Sequence, residues 1–372
     1  MNLVVLDFSG YGNPFDPLSD ALIVEACRRR GWAAEIRAAG CGKVAHGCRG
    51  RPSRPGRPAT GAEPFPEPTG TISATPLCRH EGRRETPVSR IAKGPTGTRS
   101  EGLPRGHHGG RRETPVTRTV KGLSGRDGVS VWLRYDLRTP EDLAWVVQVA
   151  RDLKQSGVRV FPRSEAIEGS EDKWLTARAL AKAGIPIPPT ALGTGVAAGS
   201  LAKRETEGPR RRPWQPGGLT DVGSVPFPLI VKPRVGWGAR QTQVFRSAAE
   251  PGLAEAVTGE AVVQPFLPHD RTLIAAVAAG RPLACIEDIG GGLRAEGRVG
   301  TIAFPPGAAD LAARALAAVG LVTGTVDLIE TVDGLRVLEV NSAPRLTYPH
   351  LPEIDLAGPM VEAVLAWWGS EP

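Results

Sequence analysis

The chain opens on an uninterrupted apolar run, Leu3-Val4-Val5-Leu6, closed by Asp7. A run that short and continuous predicts a strand buried on both faces. Apolar positions then recur at helical spacing from about Pro17 to Arg30, and Gly31 supplies a stop. Periodicity is lost from 41 to 128 and resumes with VSVWLRY (129–135), a second buried strand. Thr139, Pro140 and Asp142 predict a capped helix running to Ser156, and VRVF (158–161) predicts the next strand. Strand–helix–strand alternation of this kind predicts an α/β fold with a partly parallel sheet.

Further along, Ser170 reads as the cap of a helix over EDKWLTARALAKA, ended by Gly184 and Pro186. PFPLIVKP (226–233) and AVVQPFLP (261–268) read as strands, and LIAAVAAGRPLACIE as a hairpin. Helices are predicted from about Ala308 to Val319 and from Met360 to Trp368. The polar stretch GPRRRPWQPGG (208–218) predicts a loop that closes over a ligand.

One hairpin interrupts this regularity. VDLIETVDGLRVLEVNSAP (326–344) places Asp327, Glu339 and Asn341 among Val, Leu and Ile. A buried carboxylate without a partner costs several kcal/mol. A two-residue loop at Asp333-Gly334 sets Asp327 opposite Val340, away from Glu339. A three-residue loop, Val332-Asp333-Gly334 with a left-handed Gly334, sets Asp327 opposite Glu339. Asn341 then shares their face, because strand side chains alternate. Three oxygen-bearing groups on one face suit a hard divalent cation such as Mg²⁺. The bland alternative is a solvated edge hairpin. Nearby, Lys232 ends a buried strand just before Gly236-Trp237-Gly238, where glycine N–H groups and a lysine charge suit phosphate oxygens. The P-loop pattern is absent, since no Lys-Ser/Thr follows these glycines.

Composition excludes more than it selects. The 372-residue chain is 41% hydrophobic and 23% charged, ordinary for a globular protein. No apolar run approaches ~18 residues, so no membrane span is expected. The start, MNLVVLDFSG, lacks the basic region of a signal peptide. The net charge is +7, yet 41–128 alone carries +10 and the remainder −3. That segment contains GRRETPVSRIAKG (82–94) and its near-copy GRRETPVTRTVKG (110–122), too few copies for a solenoid. It reads as a disordered insert lengthening one surface loop, with its flanks, 37–40 and 129–131, close together. The alternative is a basic tether for RNA or an acidic partner; a nucleic-acid module is disfavoured for want of stacking aromatics. Cys41, His46, Cys48, Cys78 and His80 lack the paired spacing of a zinc site, and no disulfide framework is evident, which points to a reducing cytoplasm.

The order Ser164-Glu165-Ala166-Ile167, Asp172-Lys173, AGIPIPPT, PLIVKP, VVQPFL, VDLIE and LEVNSAP resembles the ATP-grasp superfamily. Within it, the chain is most similar to the RimK-like ligases, which add amino acids such as glutamate to an acceptor. The resemblance covers about 127–372, and 1–40 more loosely. It implies a pre-ATP-grasp α/β domain (1–40 plus 128–163), interrupted by the basic insert (41–127). An ATP-grasp domain (164–372) follows, with a lid subdomain (about 187–265) and a catalytic subdomain (about 266–372).

Position by position, the resemblance implies that Lys173 and Lys232 contact ATP phosphates, beside Gly236 and Gly238. Gln264, Pro265, Phe266 and Leu267 would line the adenine slot. Asp327, Glu339 and Asn341 would hold Mg²⁺, with Mn²⁺ as an alternative ion. Arg134 would face substrate, a surface salt bridge being the other reading, and Arg294 would serve the acceptor side. The implied reaction forms an amide through an acyl phosphate, joining a small-molecule carboxylate and amine or modifying a protein or peptide acceptor. Departures from the family pattern are Ile274 where an Arg is common (with Arg271 a stand-in if the register slips), Glu296 for an Asn, Arg345 for a Gly, and a lid loop one glycine short. Ile274 and Glu296 motivate a second reading, an ATP-binding protein without catalysis.

Overall fold

The computed structural model describes residues 2–7, 16–38, 123, 128–193, 218–236, 241–257, 260–269, 271–289, 298–348, 351 and 353–370. Apart from Leu123, the insert and its cysteines and histidines lie outside these residues, as do Gly238, Arg294, Glu296 and nearly all of 208–218. The chain divides into two compact units, Met1–Gly42 with Glu113–Pro372, and Lys43–Arg112. Only the first is described below.

Three sheets organise it. The first has the order β2-β1-β3-β4, from β1 (Asn2–Asp7), β2 (Ala33–Ala38), β3 (Val129–Arg134) and β4 (Arg159–Phe161), all parallel. Alternation divides the apolar run of β1 between two cores. Val4 and Leu6 pack with helix α2 (Pro140–Gln155), whereas Leu3 and Val5 pack with α1 (Asp16–Arg28) and α7 (Ala357–Ser370). The capping box forms as the sequence predicts. Asp142 N–H donates to Thr139 Oγ1 and Thr139 N–H to Asp142 Oδ2, both at 3.2 Å.

Parallel pairing separates the two flanks of the insert. Ala38 aligns with Asp7, and through it with Arg134, whereas Val129 aligns with Asn2. The end of β2 and the start of β3 therefore lie at opposite ends of the sheet, roughly 17 Å apart along the strands. The expectation that 37–40 and 129–131 lie close together is not met, because a parallel crossover must traverse the sheet. Leu123, just before β3, is fully buried among β3 and α2 residues.

Helices α3 (Ser164–Glu171) and α4 (Lys173–Lys182) follow β4. The cap of α4 is Asp172 and not Ser170. Asp172 Oδ1 accepts from Trp174 and Leu175 N–H at 2.9 and 3.1 Å, while Ser170 Oγ donates back to Ala166 O within α3. The sequence reading missed α3, so it placed the boundary too early. A second sheet, β5-β8-β6-β7, contains β5 (Ala191–Leu192), β6 (Leu229–Lys232), β7 (Gln243–Phe245) and β8 (Val262–Pro265), with the short α5 (Leu253–Val257) against it.

The third sheet, β11-β10-β9-β12-β13, is antiparallel: β9 (Arg271–Ala278), β10 (Arg281–Ile289), β11 (Arg298–Ile302), β12 (Thr323–Thr331) and β13 (Gly334–Asn341). Helix α6 (Ala308–Ala318) covers one face. Among the described residues no helix is long and apolar enough to cross a membrane.

Candidate active site

The β12–β13 hairpin sets Asp327 opposite Glu339 and Thr325 opposite Asn341. The expected register is present, with a different cause. Thr331 pairs with Gly334, so the turn holds two residues, Val332 and Asp333, and the extra residue sits in the strand at Leu338. This β-bulge shifts the frame by one residue between Leu328–Val337 and Asp327–Glu339. Gly324 completes the fit. A Cβ there would stand 2.6 Å from Asn341 O and 2.8 Å from Leu316, so only glycine lets β12 approach this closely. The sequence reading overlooked it, although an isolated glycine inside a strand pattern is a signal of close approach.

Asn341 Nδ2 donates to Asp327 Oδ1 at 3.3 Å, and Lys173 Nζ lies 3.0 Å from Glu339 Oε1. Lys173 also donates to the carbonyl of Gly236, whose φ of +137° suits a residue without Cβ. Asp172 fixes this lysine from behind, since Arg234, two residues before Gly236, donates Nε to Asp172 Oδ2 at 2.9 Å. Burial, then the charge of Glu339, pushes the Asp327 carboxyl up to about 7, against the pull of Lys232, Asn341 and Lys173. Burial also holds the Lys232 ammonium down to about 8, despite the opposing influence of Glu339 and Asp327. Lys173, Lys232, Gln264, Leu338 and Glu339 line one cavity.

A hard divalent cation fits this donor set. Two carboxylates and a carboxamide share one face, and burial together with Glu339 raises the Asp327 carboxyl, a shift that a cation bound between them would oppose. Among the described residues no three His, Cys, Asp or Glu side chains converge, so Asn341 is needed as the third donor.

Of the residues expected beside the lysines, Gln264 lines this cavity and several others do not. Gln264 is buried and donates to Thr190 Oγ1 at 2.9 Å, while Phe266 N–H donates to Pro228 O at 2.7 Å. Leu267 borders a separate cavity, and neither Pro265 nor Phe266 lines the one at the lysines. Arg134 is fully buried, with Nε 3.2 Å from Asp20 Oδ1 and a terminal nitrogen 2.9 Å from Pro344 O. It is not a surface salt bridge. It braces the turn after Asn341 against α1, where Ser19 Oγ accepts from Leu346 N–H. Ile274 pairs with Asp327 in register, which puts an aliphatic side chain beside the carboxylate. Arg271 does not take its place, being held by Glu287 at 3.1 Å and Glu330 at 2.9 Å.

Sequence reasoning also missed a chain of polar contacts behind the hairpin. Ser342 Oγ lies 2.5 Å from Glu171 Oε1 and 2.6 Å from Tyr135 Oη. Burial raises the Glu171 carboxyl to about 7, partly countered by its hydrogen bond from Ser342.

Residues 170–349 match the ATP-grasp domain family. Those residues form an ATP-grasp domain. It is 29% identical over 233 residues to a "Probable alpha-L-glutamate ligase" of Xanthomonas campestris pv. campestris (strain 8004), covering 58% of this chain and 72% of that protein. The fold is also that of the D-cycloserine synthetase DcsG (TM-score 0.58, 17% identity, 98% of this chain and 99% of that one). A third similar structure is the ATP-grasp ligase PsnB complexed with a phosphomimetic variant of minimal precursor, Mg and ADP. Its TM-score is 0.53 at 16% identity, over 98% of this chain and 97% of that one.

Proposed function

We propose that this ATP-grasp protein uses ATP and Mg²⁺ to join a carboxylate to an amine, with glutamate or another amino acid as the added group. The observation that carries this reading is the convergence of Lys173 and Lys232 with Glu339 at one cavity, beside Asp327 and Asn341. A substrate carboxylate oxygen attacks the γ-phosphorus, the bond to ADP breaks, and an acyl phosphate results. The amine nitrogen then attacks the acyl carbon, phosphate leaves, and the nitrogen loses its proton.

The chain's own part is charge and position. Lys173, at the start of α4, and Lys232, at the end of β6, present cations from two elements to the triphosphate. Asp327, Glu339 and Asn341 would hold Mg²⁺, which when bound neutralises the β- and γ-phosphate oxygens. Leu338 and Val262 keep one wall of the cavity apolar, which disfavours water near a hydrolysable acyl phosphate. The printed name of the similar Xanthomonas protein favours glutamate as one of the two joined substrates.

An ADP-release assay across a panel of amino-acid carboxylates and amines tests the reading. Release that requires both a carboxylate and an amine is expected. ATP binding without ADP release under any pair would favour the non-catalytic alternative, for which Ile274 beside Asp327 is the specific motive.

A further inference from the structure

A second cavity, of about 130 Å³, lies at the tip of the β12–β13 hairpin. Pro189, Leu267, Pro268 and Val332 wall it, Asp333 and Arg336 are its charged groups, and it shares no lining residue with the cavity at the lysines. Pro189 and Leu267-Pro268 belong to the two segments through which the chain enters and leaves the β5-β8-β6-β7 sheet.

Arg336 makes this more than a void. Its side chain is 7% exposed, yet among the described residues it makes no hydrogen bond, and its one ion-pair partner is Asp333 at 3.6 Å. That separation exceeds hydrogen-bonding distance, and Asp333 is itself 63% exposed, so water screens its charge. A largely buried guanidinium without a protein acceptor is left to solvent or to a ligand in the cavity, and a carboxylate answers its forked geometry best. The remaining walls are aliphatic apart from Thr331, whose hydroxyl donates to Gly334 O. An engineered cavity of about 150 Å³ accommodates benzene, which sets the scale at roughly six heavy atoms.

We propose that this cavity binds a small aliphatic carboxylate, its oxygens on Arg336 and its hydrocarbon against Pro189, Leu267 and Pro268. Such a ligand comes from two sources, a simple fatty acid or an α-amino acid whose ammonium faces Asp333. When bound, it ties both chain crossings to the hairpin that carries Asp327 and Glu339. The inference does not depend on the proposed ligase reaction, because its test uses no ATP.

The test is calorimetric titration of the full-length, nucleotide-free protein with butyrate, L-2-aminobutyrate and butylamine. Saturable binding of butyrate or of L-2-aminobutyrate is expected, the better of the two naming the source, with none for butylamine. Arg336→Met should weaken binding about tenfold or more, in line with loss of a charge-assisted hydrogen bond. Asp333→Asn, at an exposed position that leaves the fold intact, should tighten butyrate severalfold by removing a competing anion. The proposal is overturned if neither carboxylate saturates, or if both variants bind as the parent does. Should Arg336→Met fail to fold, an unchanged butyrate affinity in Asp333→Asn overturns it alone.

Discussion

Lys173 Nζ sits 3.0 Å from Glu339 Oε1, which links the start of α4 to the strand carrying the candidate metal ligands. Both side chains are partly exposed, so the pair itself contributes no more than about 1 kcal/mol to stability. Glu339→Gln should therefore leave the melting temperature within a few degrees of the parent, while ADP release falls at least ~100-fold through loss of a charge at the metal. Normal turnover at ordinary magnesium would remove Glu339 from the site.

Lys232 gives a pH signature. Burial depresses its folded-state pKa to about 8 from 10.5, so the protonated lysine disfavours the nucleotide-free fold below about 8. That penalty is relieved as pH rises from about 8 to 10.5, where the unfolded chain holds more protons. ATP needs the charged form, so its affinity should fall above about pH 8 as the lysine loses its proton. Lys232→Met should bind ATP more weakly at pH 7, and its affinity should vary less between pH 7 and 9. Parallel pH profiles for the two proteins would assign the decline to another group.

Ser342 occupies a shared position between Tyr135 and Glu171, one residue past Asn341. Removing its hydroxyl leaves two buried polar groups without that partner, at a cost of about 1–3 kcal/mol. Ser342→Ala should lower the melting temperature and raise the magnesium concentration needed for half-maximal ADP release, since the backbone at Asn341 loses an anchor. A drop in stability with no change in magnesium requirement would confine Ser342 to a scaffolding role.

The sheet geometry refines the deletion experiment suggested by the insert's composition. Replacing 43–112 by a Gly/Ser linker long enough to cross the sheet should preserve melting temperature and ADP release. Replacing 42–127 also removes Leu123, a fully buried leucine, and should cost about 2–5 kcal/mol more. Equal stability of the two deletions, measured by thermal melts, would show that Leu123 contributes nothing.

How far the sequence could be read depended on how local each signal was. The Thr139 capping box, the strand run of β1 and the hairpin over LIAAVAAGRPLACIE, which turns at Ala279-Gly280 with φ of 48° and 73°, are set by adjacent residues and were legible. The register of Asp327 against Glu339 was legible too, but its origin was assigned to the turn, because a bulge at Leu338 and a three-residue turn leave the same trace in a sequence. Arg134 was harder. Its partners Asp20 and Pro344 lie more than a hundred residues away on either side, and no spacing rule connects them. The same holds for Arg336, which reads as an ordinary strand residue until the chain crossings close over it.

The bulge at Leu338 makes the hairpin behave like a vernier. Its outer half keeps one residue count and its inner half another, offset by a single step. A three-residue turn with a flat strand and a two-residue turn with this bulge therefore present the same carboxylates to the same point. What the site fixes is the parity of the path from Asp327 to Glu339, and the tip remains free to change length wherever the strand absorbs the difference.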